Sequence, residues 1–582
     1  MSVQNWIHWL EQGRGTAALK GVVVVLGLLA LSFTVAFKQF HGPRTEETLR
    51  QADLGRSLAT GAGFTTSINY PQAHAVMERH GRLFETDRRL PELYQAPGYA
   101  LVLGAAMAVL PESMRAGLFA DAPNPPDGFG ADYLLLVINV VLLWIAAVQT
   151  WRLGTRLFDA TVGTVAGLAL LISTPVWAHV VAVDGTALAM VLLLGLFQGL
   201  AAADQAMDDD RRRRALAAWG VAGLMAGLLF LTDYPLGLLV LVVAGHAWWR
   251  RVPAAAGIAL GLAVLVALPW VWRNIELTGS PVALAAQDVA LRSGDPTADP
   301  AVWRTTLSAE SPAINLNKVG SKTLAAVQHT LRDRLWSDGG LVLTAFFVTG
   351  WIYRFRRKSS NRLRTVFALA LGVMVVAQGM LNSGEGERGS TAIAAPLIIL
   401  FGAGFFMVLV ASSDVLKRAP RWAACGLLAV QALPLMHDLA EPRRIHFSYP
   451  PYYPSFFINL GHEVTRRGDP VAGWMADVPA GAAWYSGQRV WAQPHTLRDF
   501  YAVNVDQHLL ALVLTPETLD RPFFSELLGG EVSTTRFGEW GKVYTGLISG
   551  RLPRDFPLRE SRSLAQNFQL LLDPAWVRPR GK

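Results

Sequence analysis

Carboxylates recur in this chain where apolar segments end, and a charge there is costly unless it is hydrated, paired or used. Glu46 and Glu47 stand just after the first apolar run. They head a stretch with helical periodicity in Leu49, Ala52, Leu54 and Leu58 that closes at Gly61-Ala62-Gly63-Phe64. Asp184 occupies a tight hinge between two apolar runs, five residues after His179. Carboxylates so placed can deprotonate or orient a nucleophile. In a late loop, Arg388 follows Glu385 and Glu387, a grouping in which a guanidinium can grip phosphate oxygens while a carboxylate holds it in place. Each grouping also has a plainer reading. Glu46 and Glu47 suit the positive end of a helix dipole, Asp184 suits a helix N-cap, and the late loop suits a solvated turn. Asp233, before Tyr234-Pro235, reads as a cap ahead of proline. The 12 histidines are scattered, with no His-x-x-x-His or Asp-x-Asp pair at metal-ligand spacing.

The elements that must position these groups are membrane spans. Hydrophobic residues make up 52% of the 582, charged residues only 16%, and the mean hydropathy is +0.30. A soluble domain is about a quarter charged. About eleven apolar runs can be read, over 18–37, 131–151, 160–182, 185–203, 216–233, 235–249, 255–272, 341–354, 364–381, 391–411 and 421–436. Arg and Lys cluster in alternate short connections: Arg152 and Arg156, Arg211 to Arg214, Arg250 and Arg251, Arg354 to Lys358, and Lys417 to Arg421. By the positive-inside bias these are cytoplasmic, so the N-terminus is inside and the C-terminus outside. The extracytoplasmic face then receives the long loops 38–130 and 273–340, the hinges at Asp184 and Asp233, the loop around Arg388 and everything after Met436. Gly98 to Leu110 is too short to cross and reads as a re-entrant or interfacial helix. No small-x-small cleavage pattern follows Leu19 to Phe37, which reads as a retained first helix.

The net charge of +8 lies in topology-setting loops, which argues against nucleic acid as a partner. No P-loop follows a strand, which argues against nucleotide hydrolysis. The single cysteine, Cys425, forms no intramolecular disulfide and reads as a packing residue. Beyond residue 436 the chain turns soluble. Alternation at 470–475, a small-residue helix near Ala480 to Gly487 and the apolar run His508 to Leu514 predict an extracytoplasmic α/β domain over 437–582, appended to a mainly α transmembrane domain over 1–436.

Read in order, these segments resemble a family. The first helix, the acidic pair, a helix ending in Gly-x-Gly-Phe, and Tyr94-Gln95-Ala96-Pro97-Gly98-Tyr99 before a short apolar helix are similar to the polyprenyl-phosphate-dependent membrane glycosyltransferases of the GT-C superfamily. Within it the chain resembles the bacterial protein O-mannosyltransferase and aminoarabinose transferase group, glycosyltransferase family 39. Leu153-Gly154-Thr155-Arg156-Leu157-Phe158, the Gly-rich run Gly223 to Thr232, and Pro269-Trp270-Val271-Trp272-Arg273-Asn274 are similar to further family segments. The similarity covers about residues 18–410. It departs from the family at Glu46-Glu47-Thr48, where members open with Asp-Glu, and at Arg388-Gly389-Ser390, where Arg-Tyr is common.

The resemblance implies transfer of a sugar from a polyprenyl-phosphate donor, in the bacterial inner membrane, to a lipid, glycan or protein acceptor on the extracytoplasmic face. It implies Glu47, with Glu46 beside it, as the base or orienting carboxylate and Asp184 as the second acid. Arg388 and Arg273 are then candidates for the departing lipid phosphate, and Tyr94, Tyr99 and His179 for the acceptor or donor pocket. Relatives imply no metal, and a divalent cation is left open. Two alternatives stand beside this reading: a transporter or flippase for a lipid-linked sugar, and an inactive scaffold of the same fold.

Overall fold

A computed structural model of the protein describes residues 14–82, 89–120, 129–294, 304–310, 313–381, 389–441, 454–467, 473–515, 540, 543, 546, 547, 549–564 and 568–577. Among them, 8 helices are long and apolar enough to cross a membrane, or up to 10 if each of two bent pairs is one span. All of the expected runs are helical. Tyr234–Trp249 is a shorter apolar helix, and Ala160–Leu171 with Thr174–Ala182 is one run bent by 51°. The run expected from residue 341 is the second arm of a pair, Leu316–Asp338 and Leu341–Ile352, bent by 118°. Gly98–Val109 is a short apolar helix, as its length requires.

Small residues set the packing. Helix Arg212–Thr232 lies against Pro253–Thr278 along Gly223 and Gly227, where an added Cβ would come 2.5 Å from Ala259 Cα and 3.0 Å from Ala263 Cα. Close approach of this kind drives helix association in lipid, where apolar burial alone cannot. The first helix, Arg14–Gln39, exposes Val22 to Leu26, Phe33 and Phe37, as a lipid-facing helix does. Cys425 is exposed on Pro420–Ala440 and so is not a packing residue; the helical phase turns it outward while Ala424 is buried.

The basic turns meet at one end of the bundle. Arg156 donates to Gln205 Oε1 at 2.7 Å and Arg357 to the Arg156 carbonyl at 2.8 Å. Buried Asp204 lies 2.9 Å from Arg362, 3.2 Å from Arg250 and 3.3 Å from His246, while Asp208 pairs with the same two arginines.

The opposite end carries the long loops and a six-stranded sheet. The strands of the chain are β1 Thr65–Thr66, β2 Ile68–Asn69, β3 Leu90–Pro91, β4 Gly473–Ala476, β5 Val490–Ala492, β6 Leu509–Leu514, β7 Glu560–Ser563 and β8 Gln569–Leu572. The sheet order is β2-β5-β4-β6-β8-β7, with β2, β5, β4 and β6 parallel and β8 and β7 antiparallel. Strands β4, β5 and β6 are buried at every position, as a covered parallel sheet demands. One edge, β2, comes from the first long loop, more than 400 residues before its neighbour β5. The C-terminal α/β layer is thus completed by an edge strand from the first long loop.

Candidate functional site

The site is built on helix Glu46–Ala59 at the loop-bearing end. Thr45 caps it by accepting from Thr48 N at 3.2 Å, and the helix runs out into Gly61 and Gly63, whose positive φ angles of 78° and 74° turn the chain into β1. Asp53, fully buried on its inner side, accepts from Thr66 Oγ1 at 2.9 Å and Ser67 N at 2.7 Å, which fixes where β1 gives way to β2. Gly55 and Gly104 let helix Gly98–Val109 lie directly on it; a Cβ at Gly55 would stand 2.9 Å from Leu103 Cβ.

The two adjacent glutamates have different surroundings. Half-buried Glu46 accepts from the backbone amides of Ala480 at 2.9 Å and Gly481 at 3.3 Å, so it supplies the anionic cap of helix Pro479–Ser486 in the soluble layer. The same helix is held by Arg56, which donates to the Trp484 carbonyl and stacks on Phe119. It is also held by Asp132, which accepts from Trp484 Nε1 at 2.9 Å and the Tyr485 hydroxyl at 3.0 Å. Glu47 is exposed, on the same helix as Arg50, one turn away.

Arg50 is buried. Burial works against its charge, but Tyr70, Glu47, Glu92 and Glu46 around it hold its pKa above the ordinary guanidinium value. Neither Arg50 nor Glu92 stood out in the sequence, because nothing local marks a charged residue as buried. Glu92 folds the turn before the short helix by accepting from Tyr94 N at 2.7 Å and Gln95 N at 3.1 Å. Tyr94 is edge-on to Tyr70, donates to Gln72 Oε1 at 3.1 Å, and carries Arg304 over its ring face at 4.9 Å. Burial raises the pKa of Tyr70, so its hydroxyl stays protonated.

Arg273 donates to the carbonyls of Glu92 at 3.0 Å and Phe64 at 3.1 Å and to Asn274 Oδ1, and it stacks on Trp270. Its observed part is to brace the turn. Tyr99 is fully buried and donates to the Val183 carbonyl at 2.9 Å, which carries the short helix onto the second acidic hinge. There Val183 takes a left-handed conformation, φ 58°, and buried Asp184 accepts from Thr186 N at 2.8 Å and lies 2.7 Å from His179 Nδ1. The N-cap position is Gly185, one residue after the expected one; Asp184 accepts from the first helical amide from just outside it and adds an ion-pair geometry with His179. Glu47 and Asp184 are joined through one short segment: Gln51, one turn from Glu47, holds the Ala96 carbonyl at 3.2 Å, and Tyr99, three residues on, holds Val183. Asp233 makes no side-chain cap; its carboxylate faces Gln378 at 3.4 Å. Arg388, Glu385 and Glu387 lie outside the described residues. Among the described residues no three His, Cys, Asp or Glu gather as metal ligands do.

No family model and no curated protein matches this sequence. Solved structures do match the fold. The structure of ArnT from Cupriavidus metallidurans bound to undecaprenyl phosphate superposes with a TM-score of 0.51 at 11% identity, covering 97% of this chain and 100% of that one. The chain has the GT-C fold. Two structures of the Archaeoglobus fulgidus oligosaccharyltransferase share the GT-C fold with it at 12% identity. The complex with Zn and sulfate has a TM-score of 0.52 over 86% of this chain and 69% of that one. AglB with an inhibitory peptide and a dolichol-phosphate has a TM-score of 0.50 over 88% and 71%. The agreement with ArnT reaches through the soluble layer, beyond the 18–410 over which sequence motifs could be read.

Proposed function

We propose that this chain is an integral-membrane glycosyltransferase that moves a sugar from a polyprenyl-phosphate donor to an acceptor on the extracytoplasmic face of the bacterial inner membrane. The observation that carries the reading is the correspondence over the whole chain with a transferase structure holding undecaprenyl phosphate. The distribution of polar groups supports it: ion pairs join the helices at the basic end, whereas the acids and tyrosines of the loop-bearing end sit close to the span termini, the depth that a lipid headgroup would occupy.

In this reading Glu47, exposed at the head of helix Glu46–Ala59, takes the proton of the acceptor nucleophile as it attacks the anomeric carbon. The glycosidic bond to phosphate breaks, and basic side chains of the same face, Arg388 among them, balance the charge of the departing lipid phosphate. Asp184 holds His179 and orients the acceptor side of the site, with Tyr94 lining it. Tyr99 and Arg273 keep the two halves in register. The acceptor is a lipid, glycan or protein, and membrane lipid surrounds the spans.

The test is incubation of purified protein with a radiolabelled polyprenyl-phosphate sugar and membrane extract. Label transfer that is lost in Glu47→Gln and in Asp184→Asn, with folding intact, is the expected result. Transfer at full rate in either variant removes that residue from the mechanism. Movement of the labelled lipid across vesicles without transfer points to a flippase, and neither activity to a scaffold.

A further inference from the structure

The basic end of the bundle carries a groove that the transferase reading leaves unused. Helices Arg212–Thr232 and Pro253–Thr278 run side by side in the same direction, since Gly223 meets Ala259 and Gly227, four residues on, meets Ala263. Along the pair lies a groove of about 280 Å³ lined by apolar residues alone, with Leu216, Gly220 and Leu224 on one wall and Ile258 and Leu262 on the other. Val221 and Ile258 at its rim are exposed, so it opens outward to the bilayer. Gly220 keeps it open: an added Cβ would stand 3.1 Å from Leu262 Cδ1 and 3.5 Å from Ile258 Cγ2. From Leu216 to Leu224 the wall runs about 12 Å at about 1.5 Å per residue, close to the roughly 15 Å that half a hydrocarbon core spans. The groove therefore suits one acyl chain of one leaflet.

The head of the groove is cationic. Arg211 to Arg214 are all exposed there. The positive-inside bias accounts for basic residues in this connection but not for their phase on the helix. Arg213 lies three, four and seven residues before Leu216, Ala217 and Gly220, on the face that lines the groove. Among the described residues no protein group pairs with the Arg213 side chain, whereas at the same end Arg156, Arg250, Arg357 and Arg362 are bonded within the protein. Of the acids just before it, Asp208 is held by Arg250 and Arg362, and Asp209 and Asp210 lie in the turn ahead of the helix. Arg251, exposed in the turn that leads into Pro253–Thr278, adds a charge at the head of the second wall. Exposed Trp248 and Trp249 mark the depth of the membrane boundary at this end. Basic side chains at that depth above an apolar groove ask for a lipid with a negative headgroup. We propose that this groove binds an anionic glycerophospholipid of the leaflet at the basic end, with one acyl chain along Gly220 and the phosphate on Arg213. The site lies at the opposite end of the bundle from Glu47 and Asp184 and does not depend on the transferase reading.

The test places the full-length protein in nanodiscs of phosphatidylglycerol and phosphatidylcholine in equal amounts and counts the lipid retained on release by native mass spectrometry. The wild type is expected to keep phosphatidylglycerol in preference. Arg213→Gln should cut that preference about fivefold, the worth of one basic side chain near an anionic membrane surface. Arg152→Gln, at an exposed arginine of helix Gly130–Leu157 at the same end, should leave it unchanged. Gly220→Leu, which fills the groove, should reduce retention of both lipids; if it does not fold, Arg213→Gln, at an exposed position, carries the test. Equal retention of the two lipids by the wild type, unaltered preference in Arg213→Gln, or as large a loss in Arg152→Gln overturns the site. A wild-type dimer that Gly220→Leu dissociates gives the groove to a second copy of the chain and overturns it as well.

Discussion

Replacing Glu46 separates its structural role from chemistry. Its carboxylate accepts from Ala480 N at 2.9 Å and Gly481 N at 3.3 Å, at the positive end of helix Pro479–Ser486. Loss of a helix cap costs about 0.5–2 kcal/mol and loss of an anion at a helix N-terminus about 0.3–1 kcal/mol. With the residue half-buried and the second bond long, Glu46→Ala should cost about 2 kcal/mol. Three other ties remain on that helix, from Arg56 and from both oxygens of Asp132, so the loss is local. Hydrogen exchange is the assay suited to local opening. Amides of residues 480–486 should exchange about 30-fold faster in Glu46→Ala, since 1.4 kcal/mol is tenfold. Glu46→Gln, which keeps one acceptor oxygen, should lie between, and glycosyl transfer should survive in it. Unchanged protection in Glu46→Ala refutes the capping argument. Transfer abolished in Glu46→Gln with protection retained would assign chemistry to Glu46 instead of Glu47.

Other consequences are as direct. Burial lowers the pKa of His74, stacked on Trp491 at 4.7 Å, to about 4, so the folded protein resists protonating it. The unfolded chain binds that proton near pH 6.5, so stability is unaffected above pH 6.5 and falls as pH drops toward 4, by up to about 3 kcal/mol. Acid-induced exposure of Trp491, followed by fluorescence, should move to lower pH in His74→Phe, and no movement contradicts the assignment. Asp204→Ala leaves Arg250, Arg362 and His246 short of their shared buried partner, at a cost of about 3–5 kcal/mol, read as a lowered melting temperature in detergent. Gly55→Val drives a branched side chain against Leu103 Cβ and the Ala100 carbonyl, and should cost about 1–3 kcal/mol. A variant of wild-type stability would show that the two helices do not touch there.

What could be read from the sequence follows from how far apart the interacting residues lie. A bilayer imposes length and composition on each span separately, so the runs appear in the sequence one at a time, and the basic turns mark one end of the bundle without reference to any partner. Helix Glu46–Ala59 was equally legible, because Thr45, the acids of its first turn and the glycines after it act within a few residues. The division of labour between Glu46 and Glu47 was not. Adjacent helical residues point about 100° apart, and which of those directions meets a helix cap depends on residues 480 and 481, 434 and 435 positions away. Strand β2 is hidden for the same reason: two residues of a loop become a sheet edge only because Val490 N reaches the Ser67 carbonyl. Arg50 went unread because a single arginine on an amphipathic helix looks solvated until Tyr70 and Glu92, from later in the same loop, close around it. The C-terminal layer therefore sets the two glutamates apart: it engages Glu46 in the cap of helix Pro479–Ser486, while Glu47, next to it in the chain, is exposed.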